Sequence, residues 1–373
     1  MKIGVLCHGA YGGSGVVAVE LGRHMARKGH QVHFICTEKP FRLNRFEPNV
    51  YLHQVEAYDY PLFTVPPYFL MEVNKIVEVS QAFKLDLLHA HYAIPHAASA
   101  FLAGLAGENR LPVVTTLHGT DVALVGRHRD FYATTRFSLL AGSRLTAVSG
   151  WLAAETERVF QLGCPIEVIY NFINPEEYRR NSDPALRKAL AGEDEKIIIH
   201  ISNFRPLKRV EDVVHIFYLI TRALPARLVL VGDGPAMPAV KALVNECGLE
   251  NMVHYMGVQD YVQPLLSIAD LLLLPSEKES FGLAALEGMA CEVPVVGSRS
   301  GGLPEVVSHG ECGLLAAPGD VDEMSRLALD ILSNPVWHNK LSRGARDVAE
   351  TRFNAARWVN RYEQLYYSCL KKS

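Results

Sequence analysis

Two glutamates stand eight positions apart in Glu279-Ser280-Phe281-Gly282-Leu283-Ala284-Ala285-Leu286-Glu287, across a glycine that reads as a turn into a helix. An ionised carboxylate only accepts hydrogen bonds, so such a pair is suited to hydroxyl-rich ligands: Glu279 to the hydroxyls of a sugar, Glu287 to those of a ribose. The backbone N–H groups of Phe281, Gly282 and Leu283 fall at the helix start, where a phosphate or sugar oxygen is welcome. An acidic helix N-terminus would explain either glutamate alone. It explains the pair less well once Ser298-Arg-Ser-Gly-Gly-Leu-Pro-Glu305 and Gly310-Glu-Cys-Gly-Leu-Leu315 follow.

Cations stand upstream, in Asn203-Phe204-Arg205-Pro206-Leu207-Lys208-Arg209, directly after the apolar run Lys196–Ile201. Arginine can grip a diphosphate with two parallel hydrogen bonds and lysine acts on it as a point charge. Such cations stabilise a leaving group on which negative charge grows. The same segment also reads as a solvated basic turn. Near the start, Gly9, Gly12, Gly13 and Gly15 surround Ser14 between an apolar run and a helical one. Glycines there permit either a tight structural turn or close approach of an anion to a helix N-terminus. The spacing is not that of a G-x-G-x-x-G dinucleotide fingerprint, although Glu38 sits near the end of the second strand.

These segments need elements to hold them. Short apolar strands are expected at Ile3–Cys7, Gln31–Cys36, Leu85–His89, Val113–Leu117 and Leu145–Val148, with helices between, the first from Val16 to Lys28. After Asn171 the pattern restarts, with strands at Lys196–Ile201, Arg227–Val231, Val253–Tyr255, Leu271–Leu274 and Val293–Gly297. Short apolar strands separated by helices imply parallel sheets covered on both faces. The fold class is therefore α/β, with two Rossmann-like domains whose parallel sheets face across a cleft. The N-terminal domain is expected over 1–170 and the C-terminal one over 171–353, with the junction between Ile166 and Pro184. The polar-aromatic helix Trp358–Leu370, within about 354–373, could be a docking surface, but packing against either domain is the preferred expectation, with a return onto the N-terminal domain open to it.

At 373 residues the chain exceeds what one core usually supports, which favours two domains. With 37 basic and 40 acidic residues and no basic block, a nucleic-acid partner is not expected. Seven cysteines (Cys7, Cys36, Cys164, Cys247, Cys291, Cys312, Cys369) lie far apart without a C-x-x-C pair, which disfavours zinc sites and disulfide frameworks. No run reaches the roughly 18 apolar residues of a membrane span, and the start lacks signal-peptide character. A cytoplasmic location, without a membrane partner, is expected.

The glutamate pair with its SGGLPE and GECGLL sequels resembles the E-x7-E signature of the retaining GT-B glycosyltransferases of family 4, and the resemblance covers nearly the whole chain. The segments GGSGVVAVELG, PFRLNRFEPNVYLHQVE, LLHAHYAIPHA, TTLHGTDVALVG, IYNFIN and SNFRPLKRVED are similar to those of a narrower branch, which serves bacillithiol biosynthesis. That resemblance implies UDP-N-acetylglucosamine as donor, L-malate as acceptor, and UDP plus α-linked GlcNAc-malate as products. UDP-GlcNAc is then a substrate, and no cofactor is expected. No D-x-D motif occurs, so no metal is expected either. A homodimer is compatible with all of this.

Carried onto this sequence, the resemblance assigns the donor diphosphate to Arg205 and Lys208, the sugar hydroxyls to Glu279 and the ribose to Glu287. Asn203 stands where many family members have an arginine, so here the guanidinium comes from Arg205, two residues on. Ser14 and Gly15 are expected against the diphosphate and acceptor, and Asn171 toward the donor. His118, in Thr116-Leu117-His118-Gly119-Thr120-Asp121, matches the family's histidine near the reacting carbon; by itself it would read as a core or capping residue. A dicarboxylate acceptor calls for arginines, and Arg42 (with Asn44) and Arg136 are the candidates, with hydroxyls from Tyr92 and Thr116. With no evident carboxylate nucleophile, front-face substitution is preferred over double displacement. The rival readings are a family-4 transferase with another small anionic acceptor, and a UDP-GlcNAc epimerase.

Overall fold

The computed structural model describes residues 1–9, 12–44, 46–56, 67–107, 110–123 and 125–371. The chain divides into two compact units, Met1–Tyr170 with Ala356–Ser373, and Asn171–Ala355.

The first unit is built on strands β1 (Lys2–Leu6), β2 (Gln31–Cys36), β3 (Val50–Gln54), β4 (Leu87–His91), β5 (Val113–Leu117), β6 (Arg144–Ala147) and β7 (Ile166–Val168). All pair in parallel, in the order β3-β2-β1-β4-β5-β6-β7. Helices α1 (Gly13–Arg27), α2 (Tyr68–Phe83), α3 (Ala98–Ala106), α4 (Thr120–Ala123), α5 (Arg129–Ala141) and α6 (Gly150–Phe160) make the crossovers. The central strands β4 and β5 are buried along their whole length because helices cover both faces. Where α1 crosses β2, Gly22 is required: a Cβ there would lie 2.6 Å from the Phe34 ring.

The second unit repeats the plan with β8 (Lys196–Ile201), β9 (Ala226–Val231), β10 (Val253–Gly257), β11 (Leu271–Leu274), β12 (Val295–Ser298) and β13 (Gly313–Ala316), in the order β10-β9-β8-β11-β12-β13. Its helices are α7 (Pro184–Leu190), α8 (Val210–Thr221), α9 (Met237–Glu246), α10 (Gln263–Ile268), α11 (Leu283–Ala290), α12 (Leu303–Val306), α13 (Val321–Leu332) and α14 (Pro335–Arg352). Side-chain caps start several of them: Asp183 accepts from Ala185 and Leu186, Asp320 from Glu323, and Asn334 from Trp337. Strands β3, β7 and β13 are additional to those expected from the sequence.

The last helix, α15 (Ala355–Leu370), belongs from Ala356 onward to the first unit. Tyr362 and Tyr366 on it are fully buried there. The Tyr366 hydroxyl lies 2.7 Å from His89 Nδ1, and His89 Nε2 lies 2.7 Å from Thr116 Oγ1. Thr116 Oγ1 also meets Thr146 Oγ1 at 2.7 Å and the Tyr362 hydroxyl at 3.3 Å. This corrects the expectation for Thr116: its hydroxyl is held inside the sheet by three side chains and is not available to an acceptor. Burial, with His118 nearby, lowers the His89 pKa to about 3, so the ring works as a neutral hydrogen-bonding group.

Tyr366→Phe removes a partner from a buried imidazole and is expected to lower the unfolding free energy by about 1–3 kcal/mol. A urea titration followed by fluorescence reads this as an earlier midpoint. Tyr362→Phe should shift it less, because Thr116 keeps His89 and Thr146.

Candidate active site

In a parallel sheet, a ligand crevice forms beyond the carboxyl ends of the strands where the winding direction reverses. In the second unit that point lies between β8 and β11. The loop after β8 carries Asn203, Arg205 and Lys208, and the loop after β11 carries Glu279.

Buried groups fix the first loop. The Leu273 carbonyl only accepts, so His200 donates to it from Nδ1 at 2.8 Å. Burial lowers the His200 pKa to about 4, so its Nε2 is left as an acceptor, for the Ser202 hydroxyl at 2.8 Å. Ser202 Oγ in turn receives the Phe204 N–H at 3.3 Å. Phe204, at φ 39° and fully buried, then turns the chain so that Arg205 is exposed, with no ion pair among the described residues.

Lys208 Nζ makes a close ion pair with Glu279 Oε1, which also accepts from Ser276 Oγ at 3.2 Å. The two loops are tied by the Glu277 N–H donating to the Leu207 carbonyl at 2.8 Å. Behind Glu279, its carbonyl accepts from the Gly302 N–H at 2.7 Å. Gly301 lies at φ 64°, and a Cβ on it would fall 1.9 Å from the Glu279 carbonyl oxygen. The SGG segment is thus the backing of the Glu279 loop.

Gly282, at φ 101°, starts α11 and leaves the helix N-terminus without a side-chain cap. Phe281 buries its ring edge-on against Phe353, at 5.6 Å between centroids, so its contribution to a ligand comes from the backbone, as does that of Leu283. Glu287, one turn along α11, is buried, and its Oε1 accepts the Tyr178 hydroxyl at 2.9 Å. Three buried atoms of this unit, Asn171 Oδ1, Asn203 Oδ1 and Ser298 Oγ, have no hydrogen-bond partner among the described residues. Buried polar groups are seldom left unpaired, so a polar ligand is their natural complement.

In the first unit the reversal lies between β1 and β4. His8 follows β1, and Ser14 and Gly15 open α1, which has no side-chain cap at Gly12. His118 follows β5. Its backbone N–H (3.3 Å) and that of Gly119 (2.9 Å) donate to Asp121 Oδ1, while the Ala93 N–H donates to Oδ2 at 3.3 Å. Burial raises the Asp121 pKa to about 6 against these donors. Asp121 thereby ties the loops after β4 and β5 together, which is a structural task rather than that of a nucleophile. Burial, then His8, lowers the His118 pKa to about 3, leaving a neutral ring 3.0 Å from His91 Nδ1 and 5.5 Å between centroids from Tyr92.

Arg42 is buried at φ 71° beside the Phe41 ring, and its carbonyl accepts from Arg23; Asn44 is exposed nearby. Arg136 is a correction. It lies in the last turns of α5 and donates to the carbonyls of Phe160 at 2.9 Å and Gln161 at 3.4 Å, closing the end of α6. The chain enters β6 and β7 from these helix ends, so Arg136 sits at the amino ends of the strands, opposite the crevice. Among the described residues no group of three or more His, Cys, Asp or Glu is placed to hold a metal ion. No helix of the described residues is long and apolar enough to cross a membrane.

Sequence reasoning missed His200, Ser202 and Tyr178. A histidine inside the apolar strand KIIIHI is a signal that could have pointed to the first two; nothing local marks Tyr178.

Two doubly wound sheets, with cations and carboxylates at the switch point of one and a histidine-lined crevice in the other, define the GT-B class of transferase fold. Residues 11–177 match the family described as Glycosyltransferase Family 4, and residues 182–348 that described as Glycosyl transferases group 1. The chain is 43% identical over 372 residues to N-acetyl-alpha-D-glucosaminyl L-malate synthase of Bacillus anthracis, covering 100% of this chain and 98% of that one. It belongs to this glycosyltransferase family. Sucrose-phosphate synthase of Thermosynechococcus elongatus shares the fold at a TM-score of 0.82 and 23% identity, with 100% of both chains covered. Anabaena HepE in complex with UDP and glucose does so at 0.80 and 23%, over 99% of this chain and 100% of that one.

Gly301→Ala tests the backing of the Glu279 loop. A side chain at that backbone conformation costs about 1–3 kcal/mol even before the clash, so affinity for a nucleotide sugar should fall roughly tenfold or more. Isothermal titration with the nucleotide sugar measures it; unchanged affinity would show that the SGG segment does not position Glu279.

Proposed function

We propose that this glycosyltransferase moves N-acetylglucosamine from UDP-GlcNAc to the hydroxyl of L-malate with retention, giving α-linked GlcNAc-malate and UDP. The observation that carries this reading is the 43% identity, along effectively both whole chains, to a synthase of that name. The Lys208–Glu279 pair and the Tyr178-supported Glu287 are chemically suited to it.

In this reading the diphosphate, with its higher charge, takes Lys208 from Glu279. Glu279 is then released to accept from the sugar hydroxyls. Arg205 adds a second cation, and Asn203 and Asn171 offer their unpartnered carbonyl oxygens to donor hydroxyls or amide N–H groups. Glu287, braced by Tyr178, accepts from the ribose, while the N–H groups at Gly282 and Leu283 face phosphate oxygen. Ser14 and Gly15 bring the other helix N-terminus to the anionic substrates, and Arg42, Asn44 and Tyr92 serve the acceptor.

As the bond from the anomeric carbon to UDP breaks, the malate oxygen bonds to the same face of that carbon. The hydroxyl proton passes to the departing phosphate. No enzyme carboxylate is assigned beneath the sugar, since both oxygens of Asp121 hold backbone N–H groups. The neutral His118 ring or its carbonyl steadies the developing positive charge on the sugar. Neither a cofactor nor a metal takes part in this proposal, so a chelator should leave turnover unchanged.

The test is UDP release from UDP-GlcNAc with and without L-malate, with the product's anomeric configuration read by NMR. Malate-dependent release and an α linkage are expected. Release driven by a different acceptor would overturn the malate assignment, and interconversion of UDP-GlcNAc alone would favour an epimerase. Lys208→Ala should lower kcat/KM by about 10²–10³, the effect of removing one preorganised stabiliser of transition-state charge.

A further inference from the structure

A buried carboxylate–imidazole pair in the first unit has no task in the scheme above. Glu72, near the start of α2, and His96, in the turn Ala93–Ala97 after β4, are both almost fully buried. The carboxylate Oε1 accepts from His96 Nδ1 at 2.7 Å, and Oε2 accepts a short hydrogen bond from the Ser99 hydroxyl. Burial works to raise the Glu72 pKa, yet His96 and the hydrogen bonds from His96 and Ser99 bring it below the ordinary carboxylate range, so Glu72 stays ionised. A carboxylate only accepts, so the Nδ1 of His96 carries a proton.

The other edge of the ring is unsatisfied. His96 Nε2 is buried and has no hydrogen-bond partner among the described residues. The ring lies 4.5 Å between centroids from that of His8, which follows β1, and His8 lies 5.1 Å from Tyr92. Since α2 begins, and β1 and β4 end, on the same side of the sheet, the pair stands at the switch point where the first unit's crevice forms. Crowding by its neighbours, then His96, lowers the His8 pKa to about 4, so His8 adds no competing charge beside the pair.

We infer that His96 binds a carboxylate of the acceptor through Nε2, and that Glu72 positions and charges the ring for that contact. The imidazolium then stands between two carboxylates, one of the protein and one of the ligand, with a charge-assisted hydrogen bond at each nitrogen. Ser99 holds the second oxygen of Glu72 and so sets the plane of the first. A hydroxy acid is thereby selected over a neutral alcohol or sugar by a group that sequence reading had left aside. The inference rests on the proposed dicarboxylate acceptor.

The experiment compares wild type with His96→Gln and Glu72→Gln, measuring KM for L-malate, KM for UDP-GlcNAc, kcat and the thermal midpoint. Each substitution should raise the malate KM about 10- to 100-fold, the loss of one charge-assisted hydrogen bond, with the donor KM near its wild-type value. The decisive readout uses L-lactate and 3-hydroxypropanoate, each lacking one malate carboxylate. In wild type both should be poor acceptors. In His96→Gln the penalty for losing one of those carboxylates should shrink at least tenfold, which a purely structural role would not produce. Should His96→Gln fail to fold, Glu72→Gln carries the same comparison. A wild-type enzyme that uses malate, beside variants with unchanged malate KM and the full penalty for both analogues, overturns this inference alone. A wild-type enzyme indifferent to malate overturns the acceptor reading and this inference with it.

Discussion

The reversal of winding beside the first strand of each sheet is the constraint from which the rest of this molecule follows. Once β1 is flanked by β2 on one side and β4 on the other, the two crossover helices lie on opposite faces. The loops leaving β1 and β4 must then part, and a crevice opens between them. The second unit repeats the arrangement at β8 and β11. Every residue to which we give a donor role in that unit, except Asn171, lies on the loops or helix starts that follow these two strands. Strands with buried apolar runs make the frame rigid; the loops at their carboxyl ends are left to carry chemistry.

Polar groups buried inside such a frame are costly unless paired. Neutral histidines meet that requirement well, since each ring offers one donor and one acceptor. His200 uses both, joining the Leu273 carbonyl to Ser202 and so reaching from the middle of the sheet to the turn that presents Arg205. His89 joins Thr116 to Tyr366, and through it the last helix to the first sheet. Their lowered pKa values are consequences of this burial: a charged ring in either place would lose its hydration without gaining a carboxylate.

This also marks how far the sequence could be read. Lys196–Ile201, Leu271–Leu274, Gln31–Cys36 and Val113–Leu117 are strands with the predicted bounds, because an apolar run between turn residues leaves few alternatives. β3 escaped because it is an edge strand whose Tyr51 and Leu52 are exposed, so it shows no buried run. β7 is three residues long with none of them buried, and β13, Gly-Leu-Leu-Ala, offers only two large apolar residues in a row. The strand expected at Leu85–His89 pairs from Leu87 instead, because the Asp86 carboxylate takes the Lys2 N–H and the ladder begins after it. Lys208, Glu279 and Glu287 stand out in the sequence by local spacing alone. Tyr178, 109 positions from Glu287, and Tyr366, 277 from His89, do not, since a residue type says nothing of a partner so distant. Thr116 and Arg136 failed for a related reason: type suggested a binding role, whereas position in the element decided it, one facing into the sheet and the other at a helix end away from the crevice.

The Lys208–Glu279 and Glu72–His96 pairs follow one physical logic. A lone buried ion is prohibitively expensive, and a pair is tolerable only if its geometry and extra hydrogen bonds offset desolvation. Lys208 and Glu279 therefore hold each other, with Ser276 as a third partner, and Glu72 is held by His96 and Ser99. In the proposed scheme a substrate anion engages the cationic partner of each pair. In that scheme the diphosphate draws Lys208 and leaves Glu279 for hydroxyls, and an acceptor carboxylate engages the far side of His96 while Glu72 keeps the near one. The first exchange releases an acceptor and the second does not, which suits a polyhydroxylated donor and an anionic acceptor respectively. Charge is stored in compensated pairs, and in the proposed scheme binding redistributes the hydrogen bonds instead of creating unpaired ions.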